Sequence, residues 1–68
     1  MKLKLLLDES HIILKPIGSY EKGIKNLLIG QGWRFSARTG HFYRGRIDMR
    51  EQYKKTLINL GLEIEDKT

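Results

Sequence analysis

Arginine and aromatic side chains are concentrated between Trp33 and Ile47, where the sequence reads WRFSARTGHFYRGRI and turns at Thr39-Gly40. Guanidinium groups neutralise phosphates and aromatic rings stack on bases, so the mixture points to nucleic-acid binding. Successive side chains of a strand project to opposite faces. A hairpin over this stretch would therefore show rings on one side and arginines on the other. Arg34, Arg38, Arg44 and Arg46 are the expected phosphate ligands, with Lys15 and Lys2 extending the patch. Such contacts position a nucleic-acid strand without reading its sequence. Phe42, exposed between arginines, is expected to stack on a base, and Ser36 and His41 complete the set.

Two hairpin registers are available, and a slip of one residue exchanges the faces. A three-residue loop, Arg38-Thr39-Gly40, pairs Ala37 with His41, Phe35 with Tyr43 and Trp33 with Gly45. Gly40 then takes the left-handed position on which such loops end. Trp33, Phe35 and Tyr43 share one face; Arg34, Ser36, Phe42, Arg44 and Arg46 share the other. A four-residue loop instead pairs Phe35 with Phe42 and turns Arg44 and Arg46 toward the core. Burying unpaired charge is costly, so the first register is the expected one. Arg34 and Ser36 face outward in both.

Other chemistries find little support. The acids Asp8, Glu9, Glu21, Asp48, Glu51, Glu63, Glu65 and Asp66 fall mostly at turns, helix starts or the last strand. Asp48 and Glu51 have the spacing of a capping box. His11 and His41 sit at two hairpin turns, and no serine, histidine and acid arrangement accompanies them. There is no GxxxxGK[ST] loop to hold nucleotide phosphates. Without cysteine, neither disulfides nor thiolate metal sites can staple the fold, and with only two histidines and no ligand cluster a structural zinc is not expected. A non-enzymatic protein without cofactor or metal is expected.

Thirteen basic against eight acidic side chains give a formal charge of +5, with a pI near 9.8. That favours anionic partners, although the placement of charge says more than its sign. Sixty-eight residues make a single domain, 1–68, which hides only about 60% of its unfolded surface. The Leu-rich start MKLKLLLDES is broken by Lys4 and Asp8-Glu9, short of the roughly 18 apolar residues of a membrane span. A monomeric, cytoplasmic protein without membrane contact is expected.

The elements that must position the hairpin can be read in order. Apolar runs at 2–7 and 11–15 flank the polar cluster Asp8-Glu9-Ser10. With Glu9-Ser10 as the loop, Leu3, Leu5, Leu7, Ile12 and Leu14 share one face, and Lys2, Lys4, Leu6, Ile13 and Lys15 the other. Leu6 and Ile13 then form an apolar pair among lysines, which another element is expected to cover. Pro16 and Gly18 end this strand. Ser19 suits a helix N-cap, Tyr20, Ile24, Leu27 and Leu28 form an apolar stripe, and Gly30 and Gly32 close the helix. A second helix begins at Asp48, carries Met49, Tyr53, Leu57 and Leu60, and ends at Gly61. Residues 62–65 read as a short strand and 66–68 as a frayed tail. The order is ββαββαβ, an α+β domain with a mainly antiparallel twisted sheet and both helices on one face. A faint 29-residue repeat relates Ser19, Tyr20, Ile24, Leu28, Gly32 and Phe35 to Asp48, Met49, Tyr53, Leu57, Gly61 and Ile64.

WRFSAR followed by YRGRI resembles the N-terminal accessory domain of phage UvsW-type recombination helicases, where an aromatic-Arg-Phe strand precedes a Trp-Asp-Gly-Arg-Ile strand. It also resembles the HARP module of annealing helicases. Arg34, Phe35, Gly45, Arg46 and Ile47 carry the likeness, which spans roughly residues 12–64. Tyr43 stands in place of Trp, Arg44 in place of Asp, and the turn is shorter and lacks proline. The resemblance implies binding of single-stranded or branched DNA in support of a helicase acting in recombination, repair or replication. The competing class is a protein-interaction module, a small phage or mobile-element factor acting on a host or helicase partner. It would use the Leu6-Ile13 pair or the edge strand at 62–65. A phosphate binder loses affinity steeply with salt, and an apolar interface does not.

Overall fold

The first hairpin forms as its alternation requires. In the computed structural model, which describes residues 2–18 and 21–68, strands β1 (Lys2–Leu7) and β2 (Ile12–Ile17) pair antiparallel. Leu5 lies opposite Leu14 and Leu7 opposite Ile12, around the two-residue turn at Glu9-Ser10. The Asp8 carboxylate accepts from the amides of Ser10 and His11 at 2.8 and 2.6 Å and satisfies the turn. Leu3, Leu5, Ile12 and Leu14 have essentially no exposed surface, so they define the inner face. β2 runs on through Pro16 and Ile17, beyond the end expected at Pro16. Its other neighbour reaches only as far as Leu14, so Pro16 lies where β2 is an edge on that side and a missing donor is tolerated.

Helix α1 (Lys22–Gly30) is followed by β3 (Arg34–Ser36) and β4 (His41–Arg44). A short 3₁₀ turn (Ile47–Met49) leads into α2 (Arg50–Asn59) and then β5 (Glu63–Asp66). Thus the ββαββαβ order holds. The sheet is mixed, in the order β3-β4-β2-β1-β5, with β5 parallel to β1 and every other pair antiparallel. Leaving β1 aside, β2-α1-β3 and β4-α2-β5 are two split βαβ units. β4 lies within the first crossover, and β1 and β2 within the second.

The 29-residue repeat relates these two units and shows most clearly where each helix stops. Gly32 and Gly61 take positive φ, 103° and 90°. The Gly32 amide donates to Ile29 and the Trp33 amide to Leu28, while Gly61 donates to Ile58 and Leu62 to Leu57. Both helices therefore end in a Schellman cap with an apolar contact across it. Leu28, Trp33, Leu57 and Leu62 are all buried. They close a single core with Ile24, Phe42 and the inner leucines of β1 and β2, so both helices pack on one face of the sheet.

Three expected details differ. Ser19 and Tyr20 lie outside the described residues, and α1 begins at Lys22 with Glu21 at its N-cap position. Asp48 and Glu51 form no capping box: Met49 holds the N-cap position of α2, and Asp48 pairs with Arg46 instead. The anticipated frayed end is tied down. Asp66 belongs to β5, the Lys67 amide donates to Leu5 O, and the Thr68 amide and hydroxyl donate to Asp66. No helix of the described residues is long and apolar enough to cross a membrane.

Asp66 is the polar clamp between α2 and the sheet. It accepts from Lys54 Nζ at 2.8 Å and Arg50 Nη1 at 2.9 Å. The Lys54 contact, reinforced by Thr68 and Arg50, holds its carboxyl well below the usual carboxylate range. A carboxyl depressed by folding stabilises the native state above its unfolded pKa, about 3.9, and that stability is lost as pH falls toward the folded value. Acid unfolding of the wild type should therefore steepen below about pH 4. Asp66→Asn should cost about 1 kcal/mol at neutral pH and lose its deficit in acid. Parallel acid titrations followed by circular dichroism check this; a constant gap down to the lowest pH would contradict the clamp.

Candidate nucleic-acid interface

The hairpin that carries the arginines adopts the four-residue loop. Phe35 pairs with Phe42, Arg34 with Tyr43 and Ser36 with His41. The Gly40 amide closes the loop onto Ser36 O at 2.7 Å, and Gly40 has φ 75°. The register expected from charge burial is therefore overturned, and with it the placing of Phe42 and Tyr43. Phe42 is fully buried, stacked at a tilt against Phe35 with ring centres 5.0 Å apart. It sits beside Leu14 of β2, so its ring fills the core and cannot meet a base.

Arg44 turns to the helix side, against the expectation that was based on the cost of burying unpaired charge. Its guanidinium lies 3.9 Å from the centre of the Tyr53 ring and 5.8 Å from that of Trp33, and it donates to Gln31 O. Two aromatic faces and a carbonyl supply the electrostatic compensation of a cation at a partly open site. Gly32 makes room for it: a Cβ there would stand 3.0 Å from the guanidinium. Arg46 does not extend β4. It adopts left-handed φ 62° at the start of the 3₁₀ turn and pairs with Asp48 at 3.2 Å in solvent. Arg38 stands exposed in the hairpin loop.

What remains on the outer face of the sheet is a different set. Leu6, Ile13, Tyr43 and Arg34 form one row across four strands. Lys4 and Lys15 face each other in the next row, which continues toward His41 and Ser36. Tyr43 lies between two imidazoles, edge-on to His11 at 6.4 Å and tilted to His41 at 6.3 Å. Its hydroxyl meets Thr39 Oγ1 at 3.0 Å, which fixes the ring along the hairpin. Leu6 and Ile13 are half-buried, and no element of the described residues covers them as expected: both helices occupy the opposite face.

The charge on this face is lopsided. No acidic residue occurs in β2, β3 or β4. Glu63 and Glu65 lie on β5 at the far edge, opposite Lys2 and Lys4. Lys67, with Lys2 and Lys4 assisting, draws the Glu65 carboxyl below its usual value. Arg34 is exposed and has no ion-pair partner among the described residues. Of the expected site residues, the structure brings Arg34, Ser36 and His41 together and leaves out Phe42 and Arg46. Tyr43 and His11 are additions. His11 alternates with Ile13 along the chain, and Tyr43 is the cross-strand partner of both Ile13 and Arg34, a placement legible only once the register is known. No group of acidic or histidine side chains among the described residues is arranged to hold a metal ion. Neither a family model, a curated protein nor a solved structure matches the chain.

Truncating neighbouring rings tests the register. Phe42→Ala should cost about 3–5 kcal/mol, enough to unfold much of so small a domain. Tyr43→Ala, on the open face, should cost about 1 kcal/mol. Urea unfolding of the two variants measures both, and the reverse order would restore the three-residue loop.

Proposed function

We propose that the chain is a non-enzymatic nucleic-acid-binding accessory protein that takes single strands on the outer face of its sheet. One observation carries the reading: the open face has an aromatic centre and a cationic surround, without a carboxylate on the three strands that bear it. Tyr43 stacks a base, and alanine substitution at such platforms costs about 1–3 kcal/mol per base. Arg34, Lys15 and Lys4 meet the phosphates on either side, with Arg38 at the loop. A sheet backed by helices on one face, with aromatic side chains on the other, recurs among proteins that splay out single-stranded bases. That parallel is one of architecture and supports the reading by analogy. The likeness to helicase accessory domains makes DNA the first form to test, and a motor protein in recombination, repair or replication the first partner.

Lys4 and Lys15 supply a second support. They are direct cross-strand neighbours, and like charges so placed destabilise a sheet. An anionic ligand relieves that repulsion. Lys15→Glu should therefore raise the melting temperature by a few degrees while weakening binding, a trade of function for stability.

Fluorescence anisotropy with labelled single-stranded DNA, single-stranded RNA and duplex DNA, each at two salt concentrations, tests the function. Single strands should bind in preference to duplex and weaken with salt. Arg34→Ala combined with Lys15→Ala should reduce the logarithmic salt slope by about 0.7 for each phosphate no longer neutralised. Binding unchanged in that double variant would remove the strand from this face, and no binding to any of these nucleic acids, even at low salt, would transfer the role to protein interaction through Leu6 and Ile13.

A further inference from the structure

The outer face does not end flat. Where β3 and β4 begin and finish, a cleft of about 420 Å³ opens between His11, Gly32, Arg34, Tyr43, Arg44 and Gly45. That volume lies in the range of small-ligand sites. Two of its six lining residues are arginines, two are glycines, and none is acidic.

The two cations are held in different ways. Arg34 projects from the first residue of β3 and is free in solvent. Arg44 is half-buried and anchored from behind by the Tyr53 ring and by Gln31 O. Neither has a carboxylate within ion-pair distance among the described residues. A guanidinium oriented by a ring and a carbonyl retains donors for a further acceptor. Gly32 admits the Arg44 guanidinium, which would stand 3.0 Å from a Cβ there, and a Cβ at Gly45 would stand in open space.

We infer that this cleft is a phosphate-monoester subsite. It would seat the terminal phosphate of a nucleic-acid strand between Arg34 and Arg44, with the terminal nucleotide along the Tyr43 ring. A monoester carries close to two negative charges at neutral pH, whereas each internal phosphodiester carries one. Arg34 from the outer face and Arg44 from the helix side both line this one hollow, which suits the first, and the spaced cations of the open face suit the second. Tyr43 and Arg34 belong to both surfaces, so a strand lying on the face would end in the cleft. The assignment to a strand end rests on the nucleic-acid reading above; a free nucleotide presents the same chemistry.

Isothermal titration calorimetry with an oligonucleotide of about eight residues separates the sources. The ligands are the 5′-phosphorylated strand, the 3′-phosphorylated strand, the same strand with hydroxyl ends, and adenosine monophosphate. One phosphorylated end should bind about tenfold more tightly than the hydroxyl-ended strand, as an added charge-assisted hydrogen bond provides. Gly45→Leu fills the cleft and spares both arginines. It should erase that preference while the hydroxyl-ended strand binds as before. Equal affinity for all three strands would overturn the subsite and leave the platform standing. Binding of adenosine monophosphate alone, abolished in Gly45→Leu, would overturn the strand assignment and the platform and keep the monoester site. No binding by any ligand would overturn both.

Discussion

Phe42 lies opposite Phe35 and directly beside Leu14, and the arrangement of the whole molecule follows from that placement. A 68-residue chain without cysteine depends chiefly on apolar packing to hold it. A fully buried phenylalanine ring at the centre of the sheet is among its largest single contributions. Once Phe42 points inward, strand alternation sends Tyr43 and His41 outward and Arg44 inward. The inner face then joins Leu28 and Leu57 of the two helices, and the outer face is left to solvent. An apolar requirement on one side thus decides which polar groups the other side displays.

The two split βαβ units give the sheet its symmetry, but charge breaks it. Gly32 and Gly61 close equivalent helices, and the strands that follow begin at Arg34 and Glu63, which are 29 positions apart. One end of the sheet is therefore basic and bears the aromatic cluster, whereas the other is acidic and neutralised by lysines. The charged edge at β5 also discourages pairing with another chain. Repetition accounts for the fold; only one half of it carries the proposed site.

Much of this was legible in the residues. The β1–β2 register followed from Leu and Ile alternation around a two-residue polar turn. The helix ends followed from glycines placed just beyond apolar stripes, where a left-handed residue is needed. The β3–β4 register was not legible, because both candidate registers bury three rings and the choice was made on charge. That reasoning treated Arg44 as an isolated cation, whereas Tyr53 and Gln31 O, brought in by two different helices, compensate it. Arg46 was misplaced for a local reason: a left-handed backbone at a non-glycine residue carries no sequence signal. Asp66 was read as tail because its partners, Lys54 and Arg50, are distant in sequence.

Chemical-shift mapping of the labelled protein with an unlabelled single-stranded oligonucleotide tests the central claim most directly. The amides of Ile13, Lys15, Arg34, His41 and Tyr43 should move together on binding, while those of Leu28, Ile58 and Leu60 on the helix side stay in place. Perturbations confined to the helices, or none at saturating strand concentration, would contradict the assignment of the open sheet face as a nucleic-acid surface.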